Sequence, residues 1–245
     1  MLKTKIVFII FLVILYGCDK DHNSERMKLA NTQIKQGEAK ITAGDYVGAK
    51  NDFTKAIQYW PTNSLAYVKR GMCKFFLTDY TGAISDFNEA IKIHEIAELD
   101  VSLIRGYAQM ELKNYTEAMK DMNAAILSGR NRSAPYIGRS KLKIELQDYR
   151  GAIADLDKAI EKEPNNSEAY SLRGWAKNRL KDYENSLMDL NKAIKLNPNE
   201  AEAYYYRGYT KFHLEKSIEG ACLDWSKAGE LGYLSAYESI QRYCH

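Results

Sequence analysis

One short pattern returns along this chain at an almost fixed distance. Tyr46, Tyr80, Tyr115, Tyr149 and Tyr183 are separated by 34, 35, 34 and 34 residues, and each follows an Asp or Asn: Asp45, Asp79, Asn114, Asp148 and Asp182. Three residues after each tyrosine stands a small residue (Ala49, Ala83, Ala118, Ala152, Ser186). A large apolar residue follows (Phe53, Phe87, Met122, Leu156, Leu190), and then alanine again (Ala56, Ala90, Ala125, Ala159, Ala193). A unit of this length repeated in tandem is one supersecondary module. It cannot bury its own apolar face, so it must stack on its neighbours.

Each unit holds two amphipathic stretches of about 12–14 residues joined by a tight turn. Gly37, Gly71, Gly106, Gly174 and Gly208, with Ser140 in the fourth unit, stand upstream of the turn, and Pro61, Pro164 and Pro198 close three units. This order of small, large and closing residues resembles the tetratricopeptide repeat (TPR) over residues 30–232. The resemblance implies an all-α fold, a right-handed α-solenoid of six helix-turn-helix repeats (30–63, 64–98, 99–132, 133–166, 167–200, 201–232). A capping helix over 233–245 would cover the exposed end.

The N-terminus reads as an address. Residues 1–18 begin Met-Leu-Lys-Thr-Lys, continue as an apolar run from Ile6 to Leu15 and end Tyr16-Gly17-Cys18. A basic head, an apolar centre and a small residue before a cut site predict a secretory signal. Such a run spans about 15 Å as a helix, too short for a bilayer core of about 30 Å. Leu15, Gly17 and Cys18 resemble the lipobox of bacterial lipoproteins, although Tyr16 fills a place that is usually small. The resemblance implies a signal peptide over 1–17, lipidation of Cys18 and a flexible tether over 18–29. A secreted protein with Cys18 free is the alternative. Asp19 resembles a signal that retains lipoproteins at the inner membrane of some bacteria, so both membranes stay open. The outer membrane is the expectation, with the repeats in the periplasm or at the cell surface.

Arg70, Arg105, Arg139, Arg173 and Arg207 hold one position of the first helix, and Asp86, Asp121, Asp155, Asp189 and Asp224 hold one position of the second. The arginines alone would suit an anion-binding ladder. Their matched aspartates favour a structural Arg–Asp pair in each repeat, with bidentate geometry. Cys73, at a small helix-facing position, predicts a buried free thiol. Cys222 and Cys244 stand ten and twelve residues from Gly232. Antiparallel helices about a turn there would bring them together. In an exported protein they would form a disulfide worth about 3 kcal/mol; two free thiols are the alternative.

Formal net charge is +3, and Lys3 and Lys5 of the signal contribute to it. A nearly neutral body without a basic stripe does not suit nucleic acid. The chain has no Gly-rich phosphate loop, Cys-x-x-Cys, His-Glu-x-x-His or Gly-x-Ser-x-Gly, and its four histidines are scattered. No catalytic residue, metal or cofactor is expected. The TPR resemblance implies that the first helices line a concave groove. In this chain that groove would hold Met72, Phe75, Tyr107, Met110, Lys141, Trp175, Asn178, Arg179, Tyr205, Tyr209 and Phe212, together with Val68 and Ile137. Phe76 and part of the run Tyr204-Tyr205-Tyr206 are expected in packing between helices. So apolar a groove suits an aromatic or apolar peptide. The expected function is therefore a non-catalytic, membrane-tethered scaffold that binds a peptide or helix of an envelope protein, its only membrane contact being the N-terminal lipid. The alternative is a structural subunit of an envelope assembly, bound through convex or lateral faces.

Overall fold

A computed structural model of the chain describes residues 23–93, 101–128, 132–214 and 218–244. The expected signal peptide and Cys18 lie outside the described residues. The chain divides into two compact units, Met1–Asn114 and Tyr115–His245. All regular structure among the described residues is helical. The first unit contains α1 (23–42), α2 (Tyr46–Tyr59), α3 (Ser64–Phe76), α4 (Tyr80–Ile93) and α5 (Val101–Glu111). The second contains α6 (Tyr115–Leu127), α7 (Ala134–Glu145), α8 (Tyr149–Lys162), α9 (Ser167–Arg179), α10 (Tyr183–Leu196), α11 (Ala201–Leu214), α12 (Ile218–Glu230) and α13 (Ser235–Tyr243). Within each unit, helices consecutive in sequence pack on one another. In the second unit α7 also touches α9, and α9 touches α11. Odd-numbered helices up to α11 are the A helices of the repeats, and even-numbered ones are the B helices.

One boundary differs from the sequence expectation. Residues 23–29, expected in the tether, are already helical. Glu25, Arg26, Met27, Lys28 and Leu29 are good helix formers, and Ala30 and Ile34 anchor the next turns in the core. Once that nucleus exists, adding residues to its end costs little. Arg26 also donates to the Gln58 carbonyl oxygen at 3.4 Å.

The turn inside each repeat explains the recurrent Asp-Tyr. The residue before the Asp or Asn has positive φ: Gly44 (78°), Thr78 (61°), Lys113 (59°), Gln147 (60°) and Lys181 (65°). This lets the next N–H reach back to the A helix. Asp45 donates to Lys40 O, Asp79 to Lys74 O, Asn114 to Gln109 O, Asp148 to Lys143 O and Asp182 to Lys177 O, at 2.8–3.0 Å. The A helix is thereby closed with its last carbonyls satisfied. The aspartate side chain then starts the B helix. Asp45, Asp79 and Asp148 accept from the N–H of Gly48, Gly82 and Gly151 at 2.8–2.9 Å, as N-caps do. A Cβ at those glycines would collide with the capping carboxylate. Asn185 stands at that position in α10, and there Asp182 caps no backbone N–H. It accepts instead from the Asn185 amide at 2.9 and 3.1 Å.

The small residues upstream of the turn allow close helix contact. A Cβ on Gly71 would lie 2.8 Å from the Phe87 ring, and one on Gly208 would lie 2.6 Å from the Trp225 indole. Phe53, Phe87, Leu156, Leu190 and Trp225 of the B helices are fully buried. Cys73 is buried and free. Cys222 and Cys244 are joined as a disulfide with Cα atoms 5.8 Å apart, which staples α12 to α13. Gly232, with φ of 93°, makes the turn between them.

Two outcomes follow. Thr78 is exposed and β-branched in the left-handed region, a conformation that costs such a residue about 1–2 kcal/mol. Thr78→Gly removes that strain but adds backbone entropy to the unfolded chain. The expected net gain is about 0.5–1 kcal/mol in urea denaturation. Burial pushes the Cys73 thiol up from 9.0 to about 11, against the pull of Lys69. The neutral thiol is thus favoured by folding. Its contribution to stability is complete below about pH 9 and is lost as pH climbs toward about 11. Alkylation at pH 8 followed by peptide mass mapping should leave Cys73 unmodified in the native protein and modified in urea.

Candidate functional site

The matched arginines and aspartates meet in bidentate pairs within repeats. Arg70 donates from Nε and Nη2 to Asp86 at 2.8 and 2.7 Å. Arg139 does the same to Asp155 (2.9 and 2.6 Å), Arg173 to Asp189 (2.8 and 2.6 Å) and Arg207 to Asp224 (2.8 and 2.6 Å). Asp121 is likewise buried; it lies in the second unit and Arg105 in the first. The remaining Nη1 reaches the preceding B helix, from Arg105 to Asn88 (2.6 Å), Arg139 to Asn123 (2.8 Å), Arg173 to Asp157 (2.7 Å) and Arg207 to Asn191 (2.8 Å). One guanidinium therefore links two successive B helices. The carboxylate bonds raise Arg70 and Arg139 above their ordinary values, against the cost of burial. For Arg173 burial pulls downward, and Asp189 and Asp157 more than reverse it. These arginines are committed internally and form no anion-binding ladder.

Sequence reasoning missed two parts of this network. A lysine one turn after the arginine also reaches the aspartate: Lys74 to Asp86 (2.9 Å), Lys143 to Asp155 (2.8 Å), Lys177 to Asp189 (2.6 Å) and Lys211 to Asp224 (2.9 Å). Its i, i+4 spacing from the arginine was the available signal. The first repeat carries the same buried acid, Asp52, with Lys40 Nζ 2.6 Å from Oδ2. That oxygen has no partner in hydrogen-bond geometry among the described residues. The arginine position is Gln36 there.

The other face of the A helices is aromatic. In the first unit Phe76 stacks on Tyr46 at 4.8 Å and meets Phe75 edge to face at 5.8 Å. Phe76 thus packs between α2 and α3, as expected for it, while staying 53% exposed. In the second unit Trp175 stacks on Tyr206, with centroids 4.8 Å apart and planes 15° apart. The Arg179 guanidinium lies 5.3 Å from both the Trp175 and the Tyr149 rings. Tyr205 and Tyr209 continue the cluster toward Trp225 and Tyr233.

The remaining expected groove residues divide by burial. Met72, Phe75, Tyr107, Met110, Trp175, Tyr205 and Tyr209 are half-buried, and Arg179 is exposed. Lys141 is half-buried and pairs with Glu168 at 2.5 Å. Val68 and Ile137 belong to the core instead. Asn178 is buried too. Its amide donates to Thr210 Oγ1 at 3.0 Å, so it ties α9 to α11 and is not offered to a ligand. Phe212 packs on Tyr243 at 4.9 Å and Trp225 at 6.1 Å, beneath the cap. These corrections share one cause. The span between the sides of a helix that face a neighbour and the side that faces solvent is about one residue wide, and sequence position alone does not resolve it.

Two tetratricopeptide repeat family models match the chain, over residues 99–128 and 138–201. The chain carries tetratricopeptide repeats. Solved structures agree with the TPR fold. The chain superposes on one from the APC/C hetero-tetramer Cut9-Hcn1 with a TM-score of 0.77 at 17% identity, covering 94% of its own length and 46% of that chain. It thus spans less than half of that protein. A tetratricopeptide repeat protein from Parabacteroides merdae gives 0.61 at 19% identity, covering 89% of this chain and 100% of that one. YrrB, described as a TPR protein with an unusual peptide-binding site, gives 0.55 at 18% identity over 77% of this chain and 97% of its own. No curated protein matches the sequence.

The buried acids of these TPR units differ in their partners, and that difference is measurable. Asp155→Asn strands Arg139 and Lys143 without their carboxylate, an expected loss of about 3 kcal/mol. Asp52→Asn strands only Lys40 and should cost less. Gln36→Arg supplies the missing guanidinium, with an expected gain of about 1 kcal/mol. Urea denaturation of the three variants checks this order.

Proposed function

We propose that this protein is a non-catalytic scaffold, tethered to a bacterial envelope membrane through lipid on Cys18, which captures a peptide or helical segment of an envelope protein. The TPR fold suits protein–protein interaction. The observation that carries the choice of face is the partly exposed Trp175–Arg179–Tyr149 stack. Trp, Tyr and Arg are the residue types that most often dominate interface energy. YrrB, a neighbour in fold, is described by its peptide-binding site. The tether rests on the sequence Leu15-Tyr16-Gly17-Cys18 and places the protein at the envelope, with the outer membrane preferred.

A second reading has one observation of its own. Met188 on α10 and Leu223 on α12 hold the same repeat position and are 69% and 68% exposed. They offer a B-helix face through which a structural subunit could dock. Affinity capture with wild type, Trp175→Ala and Arg179→Ala separates the readings. Each variant should reduce recovery of the partner by at least about tenfold. Unchanged recovery moves the site to the B-helix face. Cys18→Ser should release the protein from the membrane fraction; continued sedimentation with membranes would refute the lipid tether.

A further inference from the structure

The first helix is longer than the repeat requires. Shifting back 34 residues from Ser64, where α3 begins, gives Ala30. Residues 23–29 are already helical, about two turns ahead of that register. Ala30 and Ile34 are buried in the core, whereas every residue of 23–29 is exposed or half-buried. Met27 and Leu29 are 40% and 42% exposed. Arg26 and Lys28 alternate with them, and Glu25 is the one acid of the segment. This projecting stretch lies against the end of α2, because Arg26 donates to the Gln58 carbonyl oxygen. Tyr59 is exposed there, and Lys55, one turn earlier on the same stripe of α2, faces solvent as well. The end of the first unit thus combines exposed apolar side chains, a tyrosine and three cations.

The length of chain between Cys18 and α1 decides what this end faces. Four residues, 19–22, separate Cys18 from Asn23. The five peptide links between the two span at most about 18 Å, whatever path they take. A lipid on Cys18, the reading on which this inference rests, holds that residue at the level of the headgroups. The start of α1 and the end of α2 beside it then stay close to the bilayer surface. We propose that this end of the first unit, formed by Arg26, Met27, Lys28, Leu29, Lys55 and Tyr59, is a contact surface for anionic lipid headgroups. Lysine and arginine are drawn to an anionic bilayer, and tyrosine favours the interfacial layer. Met27 and Leu29 supply apolar area for the boundary between headgroups and acyl chains. Two such side chains hold a free protein weakly. The short tether offsets that weakness, because it makes the contact intramolecular at an effective concentration of about millimolar. The contact fixes how the first unit stands on the membrane, with the start of α1 toward the lipid, where a long tether would leave it free to turn.

The test uses the acylated full-length protein in vesicles of phosphatidylcholine and phosphatidylglycerol that carry a headgroup nitroxide. A thiol-reactive fluorophore is placed at Gln58→Cys or at Val47→Cys. Both positions are exposed and lie on one face of α2, about 16 Å apart along the helix. Cys73 is buried and stays unlabelled. Quenching is expected to be at least about twofold stronger at position 58 than at position 47, since only the first lies at the headgroups. Lys28→Glu/Leu29→Glu, which exchanges two exposed side chains, should bring the two positions toward equal quenching. Equal or weaker quenching at position 58, or a difference that Lys28→Glu/Leu29→Glu leaves unchanged, overturns the contact surface and leaves the lipid tether standing. An N-terminal mass without acyl chains overturns the surface together with the tether on which it rests.

Discussion

A carboxylate buried among helices is costly unless cations come with it, and this fold places one in its B helices repeat after repeat. Asp86, Asp155, Asp189 and Asp224 each hold a bidentate arginine and a lysine. The geometry of that trio sets the rest. Arginine and lysine must stand one turn apart on the A helix. The aspartate must face them from the B helix. The free Nη1 then selects an acceptor on the B helix before it. Tyrosines three residues before the arginine, Tyr67, Tyr136, Tyr170 and Tyr204, cover the guanidinium at 5.3–6.0 Å and shield it in part from water. Replacing such a trio by apolar residues could be neutral in energy. Breaking it is not, so it specifies register as much as it stabilises.

The ladder also decides where function can reside. It consumes the arginine and lysine of α3, α7, α9 and α11 on the side facing the B helices. The opposite side has no such obligation, and its residues vary from repeat to repeat: Lys141 in one, Trp175 in the next, Tyr209 in the third. The proposed recognition would therefore be written in positions that the fold leaves unassigned. The last repeat is a partial exception. Tyr209 bonds Ser239 of α13 at 3.0 Å, Phe212 lies under Tyr243, and the disulfide locks that arrangement. Aromatic side chains that could have served binding are there used to seal the end of the stack.

The sequence by itself determined the period, the helix pairs and the matched Arg and Asp columns, because each depends on contacts repeated at constant spacing. It also placed Cys222 near Cys244, since counting residues from one turn suffices for two antiparallel helices. It did not resolve the side chains at the margin between packed and exposed. Asn178 and Ile137 turned inward. Nor did it reveal Lys74 and its equivalents as partners of the aspartates, or that residues 23–29 are helical. These outcomes turn on small rotations and on which neighbour arrives first at a shared atom. Such matters belong to packing between helices, and the local pattern of any one helix does not contain them.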